Sequence, residues 1–147
     1  MAKMNLYIDV DGVLIGKDAP DSPTQRLARH AEEFLTFALN HFDVSWLTTH
    51  CRGDAQRVVE YLRMYAPDNL MPLLRQIRPT NWDTLKTEAL QGDFYWLDDS
   101  PMQAELNWLR ERDLLDRWIE VDVRRNPNDM LRAMTILRLA LAKDRLG

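Results

Sequence analysis

A chain of 147 residues with 46% apolar side chains can bury one sizeable core and hardly two, and a net charge of -4 without a long basic run excludes a general nucleic-acid-coating protein. Its single cysteine, Cys51, excludes an internal disulfide and fits a reducing compartment. No apolar run approaches the roughly 20 residues of a membrane-spanning helix and no signal-peptide core precedes the first acid, so a soluble, cytoplasmic protein is expected.

Residues 4–10 contain the apolar run Leu6-Tyr7-Ile8 and predict a buried strand that ends on Asp9 and Asp11, with a turn at Gly12. A turn-rich loop covers 12–21. Ser22-Pro23 has the form of an N-cap followed by proline at the first helical position. Leu27, Ala31, Phe34, Leu35, Ala38 and Leu39 keep helical spacing, which predicts a helix over 23–40. A second strand follows at 42–49, ending on Thr48 and Thr49. Asp54 caps a helix over 55–65 that stops before Pro67. "MPLLRQI", 71–77, is a weak third strand. Thr80 or Asn81 caps a short helix through Leu90 that carries Lys86. "DFYWL", 93–97, is a fourth strand running into Asp98 and Asp99. Ser100-Pro101 opens a helix to about Asp116, 118–123 is a fifth strand, and Asn126 caps a last helix over roughly 127–143. Alternating strands and helices predict an α/β fold with a five-stranded parallel sheet, right-handed crossovers and helices on both faces, all in one domain over 1–147.

Ligands in such sheets bind beyond the carboxyl ends of the strands. Those ends carry Asp9, Asp11, Thr48, Thr49, Asp98 and Asp99, with Lys86 on the helix before the fourth strand. Converging carboxylates repel one another unless a cation joins them, and an all-oxygen acidic site suits Mg²⁺. Mg²⁺ leaves positions open to water and phosphate, and a hydroxyl and an ammonium beside it bind the remaining phosphate oxygens. One aspartate can attack phosphorus, and a second acid can protonate the leaving oxygen and then activate water.

The ordered set "DVDGV" (9–13), "WLTT" (46–49), Lys86 in "TLKTEAL" and "WLDD" (96–99) resembles the four motifs of the haloacid dehalogenase-like superfamily. The resemblance spans about 90 residues. It implies a Rossmann-like three-layer core and phosphatase chemistry, because dehalogenase members lack the second acid matched by Asp11. It implies Asp9 as the nucleophile that becomes an aspartyl-phosphate and Asp11 as general acid/base. Thr48 matches the hydroxyl that binds the transferring phosphoryl group, with Thr49 beside it, and Lys86 the lysine that offsets charge on nucleophile and phosphate. The metal set implied is Asp9, the backbone carbonyl of Asp11, and Asp98, with Asp99 assisting at the metal or orienting Lys86. Gly92-Asp93 with Asp98 imitates the spaced variant of the fourth motif, but that pair precedes the apolar run instead of following it. Neither the segment after the first strand nor the one between Ile77 and Lys86 has room for a cap domain. A capless site implies an open one, suited to a phosphorylated small molecule, a nucleotide or a macromolecular phosphate.

Three other readings compete. "HCRGDAQR", 50–57, contains the His-Cys-x5-Arg spacing of cysteine phosphatases and would make Cys51 the nucleophile, although it leaves the acids unexplained. A receiver-type signalling domain also places acids, Thr and Lys around Mg²⁺, but needs an aspartate at the end of the third strand. The third alternative is a phosphate- or Mg²⁺-binding interaction module without catalysis. The five tryptophans are expected in the core, and Asp43, Asp54 and Asp129 at the surface or as caps. His30 and His41 have no metal-ligand spacing to another His or Cys.

Overall fold

The computed structural model describes residues 3–146. Four strands form the main sheet: β1 (Met4–Ile8), β4 (Phe42–Trp46), β5 (Phe94–Asp98) and β6 (Trp118–Glu120), in the order β4-β1-β5-β6 and parallel throughout. Leu6 of β1 faces Val44 and Tyr95 across the ladder, and Ile8 faces Trp46 and Leu97. The sheet thus has the expected α/β character but four strands instead of five.

The missing strand is the one expected at 71–77. Leu70, Met71, Leu74 and Ile77 are buried, a helical spacing, and Pro72 sits in a first turn where its absent N–H costs nothing. The segment folds as a 3-10 turn, Asp68–Leu70, leading into the short helix α3, Met71–Leu74. Just beyond it, Arg78 reaches the edge of β4: its N–H donates to Val44 O at 3.0 Å and its carbonyl accepts from Trp46 N at 2.8 Å.

The second correction lies between β1 and the first helix. Ile15–Lys17 (β2) and Gln25–Leu27 (β3) pair as an antiparallel hairpin, with Ile15 opposite Leu27, so the helix expected from residue 23 begins only at Ala31 (α1, Ala31–His41). Ser22 is a turn residue and not a helix cap; its Oγ accepts from Thr24 N at 3.2 Å. Gly16 lets the hairpin lie on the chain after β6, since a Cβ there would come within 2.7 Å of Val123 Cγ2.

Several boundaries shorten. Asp54 caps α2 (Ala55–Leu62), its carboxylate accepting from Gln56 N at 2.9 Å. The helix expected up to Leu90 is one 3-10 turn, Lys86–Ala89. Helix α4 runs over Gln103–Glu111, starting after Ser100-Pro101, and α5 over Asp129–Leu146.

Two cores flank the sheet. Leu6, Ile8, Val44, Trp46, Leu97 and Ile119 pack with the apolar stripe of α1 (Ala31, Phe34, Leu35, Ala38) and with residues of α2, α3 and α5. On the other face Tyr7, Phe94 and Trp96 pack with Trp82, Leu90 and Leu109, with Trp108 and Trp118 at the edge. All five tryptophans serve packing, as expected. Among the described residues no helix is long and apolar enough to cross a membrane.

Candidate active site

The chain leaves β1 at Asp9, whose N–H still donates to Leu97 O of β5 at 3.0 Å. That bond keeps Asp9 beside Asp98, the last residue of β5. Carboxylate oxygens of Asp9, Asp98 and Asp99 lie within 4.8 Å of one another. Lys86 enters from the 3-10 turn. Its Nζ lies 2.7 Å from Asp98 Oδ2 and 3.2 Å from Asp9 Oδ2.

This cluster is largely shut off from water. Burial, then the neighbouring Asp98 charge, push the Asp9 carboxyl up to about 7, against the pull of Lys86. Burial alone would depress the Lys86 ammonium, but the Asp9 and Asp98 charges outweigh it and hold its pKa above the ordinary lysine value. Burial and Asp98 also raise Asp99, opposed by Arg124, whose Nη1 is 3.6 Å away. Gly12 turns with φ +83°, and a Cβ there would lie 2.6 Å from Asp99 Cγ, so the turn and the acid occupy each other's only space.

Asp11 points elsewhere. Its Oδ1 accepts from Tyr61 Oη at 2.8 Å, and its Oδ2 lies 2.9 Å from His50 Nε2. The His50 and Tyr61 rings stack with centroids 4.1 Å apart. The His50 N–H donates to Thr48 Oγ1 at 3.3 Å, so one residue links the buried Thr48 to Asp11. Thr49 stands exposed. The structure therefore gathers Asp9, Asp98, Asp99 and Lys86 into one cluster. Thr48 and Asp11 form a second group about His50, and the Asp11 carboxylate is not among the three acids that meet.

Sequence reasoning missed four residues here. Glu105 is 2% exposed and its carboxylate accepts from Met102 N at 2.8 Å and from Lys86 N at 2.6 Å, tying the lysine turn to the start of α4. Its signal is local: an acid three residues after the residue that precedes a helix is the capping-box position, and Glu105 stands so relative to Met102, two residues beyond the expected start at Ser100-Pro101. His50 was read only as part of the cysteine motif. Tyr61 and Arg124 carry no local signal, since their partners are far away in the chain.

The cysteine loop has different geometry from an anion site. Cys51 is fully buried, and its Sγ donates to Thr80 O at 3.4 Å. The Cys51 N–H goes to Thr48 O and the Gly53 N–H to Thr80 O, and Arg57 is exposed on α2. Asp129, expected at the surface or as a cap, is 4% exposed and accepts from Asp122 N and Arg132. A polar cavity of about 790 Å³ opens beside Asp99, with Lys17, Ser100, Asp122, Arg124 and Arg125 in its lining.

Comparison of the chain with protein-family models, with curated proteins and with solved structures finds no match in any of the three.

Proposed function

We propose that the chain is a Mg²⁺-dependent phosphatase of the haloacid dehalogenase type that hydrolyses a phosphomonoester through an aspartyl-phosphate on Asp9. The observation that carries this reading is the Lys86 ammonium shared by Asp9 and Asp98 at adjacent strand ends, with Asp99 completing the acid group. A structural ion pair has no need of a further carboxylate beside it. Three acids set against the Lys86 ammonium and, at Asp99, the Arg124 guanidinium still leave a surplus negative charge when all are ionised, and the donor set is all oxygen, which fits a hard divalent cation. Asp9, Asp98 and Asp99 would hold it. Bound there, Mg²⁺ supplies charge stabilisation at the phosphoryl oxygens.

The chain's own residues perform the rest. An Asp9 oxygen attacks phosphorus, the ester P–O bond breaks, and the Asp11 proton goes to the leaving oxygen. Asp11 then takes a proton from water, water oxygen attacks the same phosphorus, and the P–O bond to Asp9 breaks to release inorganic phosphate. Lys86 and Thr48 hold phosphoryl oxygens. The β2–β3 hairpin is a flap and not a cap domain, which supports an open site. The cavity beside Asp99 leaves space for the body of a phosphorylated small molecule, a nucleotide or a macromolecular phosphate.

The test is hydrolysis of p-nitrophenyl phosphate. Activity is expected with Mg²⁺, lost with EDTA and restored by added Mg²⁺. Activity indifferent to chelation overturns the reading.

A further inference from the structure

Both oxygens of the Asp11 carboxylate are engaged, and by side chains that hold each other. Tyr61 Oη reaches Oδ1 from helix α2, 50 residues along the chain, and His50 Nε2 reaches Oδ2 from the turn after β4. The two rings lie nearly parallel, 18° apart, so neither can leave without unstacking from the other. Tyr65, in the turn that follows α2, meets Tyr61 edge-on with ring centroids 5.6 Å apart, and its hydroxyl donates to Gln25 Oε1 on the hairpin at 3.0 Å. The acid is thus braced from α2, and α2 is in turn tied to the flap.

Asp11 follows Asp9 by two residues, on a turn whose next residue is Gly12. An Asp11 carboxylate turned toward the acid cluster, which begins two residues earlier at Asp9, would be a fourth acid there and would no longer face a leaving oxygen. We propose that His50 and Tyr61 are positioning residues that keep the Asp11 carboxylate out of the Asp9–Asp98–Asp99 cluster and available to the leaving oxygen. The inference rests on the phosphatase reading and deepens it. It also names what the pair selects for: esters with poor, alkoxide-like leaving groups, whose P–O bond does not break without a delivered proton.

The experiment compares two substrates, p-nitrophenyl phosphate and a simple alkyl phosphate, at saturating Mg²⁺. Tyr61→Phe keeps the stack and removes one hydrogen bond. His50→Leu removes the other, and His50→Gln restores a donor near the Nε2 position. The Tyr61→Phe/His50→Leu double variant is expected to lose about 100-fold in kcat on the alkyl ester, the low end of what a general acid contributes, and under about 3-fold on the aryl ester, with KM unchanged. Tyr61→Phe combined with His50→Gln should recover most of the alkyl-ester rate. Equal losses on both substrates show a merely structural role and overturn the inference, as does a double variant as fast as wild type on the alkyl ester. A wild-type chain that hydrolyses neither ester overturns the phosphatase reading, and the inference with it. A wild type active on both, with indifferent variants, overturns the inference alone.

Discussion

Asp9 and Asp11 leave one strand end two residues apart and finish in opposite surroundings. The Asp9 side chain is 11% exposed, among two other carboxylates and an ammonium; that of Asp11 is 33% exposed, between a phenol and an imidazole. Strand alternation alone would have put both on one face. The chain leaves regular strand geometry after Ile8, so the alternation does not extend to Asp11, whose carboxylate meets Tyr61 of α2. Two like charges close in sequence are thereby separated in environment, which is what a nucleophile and a proton carrier require.

The sharpest way to break this comparison is to remove each acid in turn. Asp9→Asn removes the carboxylate proposed to attack phosphorus and is expected to lower kcat on p-nitrophenyl phosphate by at least about 10³-fold. Asp11→Asn should lose about 10² to 10⁴-fold on alkyl esters and much less on the aryl ester. It should also accumulate phosphate on Asp9, seen as a mass increase on the tryptic peptide beginning at Met4. Equal defects in the two variants would erase the distinction. Cys51→Ser is expected to stay within about 3-fold of wild type, because its buried thiol contributes packing and one hydrogen bond to Thr80 O that a serine hydroxyl can also make; loss of activity there, with Asp9→Asn active, would move the chemistry to the 50–57 loop.

A smaller effect concerns pH. Burial and the Asp98 charge push the folded Asp9 carboxyl up to about 7, well above the ordinary carboxylate range. A raised carboxyl pKa means that ionisation opposes folding: its contribution is fully favourable below about 4 and is lost as pH rises through about 7. Without metal, the unfolding free energy of wild type relative to Asp9→Asn, read from urea unfolding, should therefore fall between about pH 4 and 7, by an amount on the order of a few kcal/mol at most. Added Mg²⁺ should raise the wild-type midpoint more at pH 8 than at pH 5, since a proton at Asp9 competes with the cation. A difference that stays flat with pH would show that Asp9 is not the strained member of the pair.

The same contrast explains what could be read in the sequence. Asp9, Asp98 and Asp99 were legible because each ends an apolar run, and a parallel sheet gathers such ends at one edge. Asp54 was legible as a cap because the bond it makes is local. The hairpin at 15–27 was not: Ala31, Phe34, Leu35 and Ala38 do form a helical stripe, but Ser22-Pro23 imitated its start and Leu27 extended the period by chance. The segment 71–77 was misread because a short apolar run looks alike in strand and helix, and the spacing of Leu70, Leu74 and Ile77 lost to composition. The Tyr61 and His50 contacts with Asp11 span 50 and 39 residues, beyond the reach of any local pattern.

The smallest expected effect tests how firmly the buried cluster depends on its support. Glu105 accepts from Lys86 N and Met102 N with different oxygens, and at 2% exposure water cannot replace either bond. Glu105→Gln keeps the shape but offers one acceptor oxygen and one NH₂ group, so one backbone N–H is left facing a donor. An unsatisfied buried N–H costs about 1–3 kcal/mol, and the midpoint of urea unfolding should fall accordingly. Lys86 Nζ is held by Asp9 and Asp98 independently of its backbone, so the ammonium should stay in place, and kcat should drop by less than about 10-fold with leaving-group preference unchanged. That outcome would set Glu105 apart from His50 and Tyr61: it supports the cluster through the backbone, whereas they act on the orientation of one carboxylate. A changed leaving-group preference in Glu105→Gln would show instead that the two regions are coupled through the strand ends and cannot be treated as separate devices.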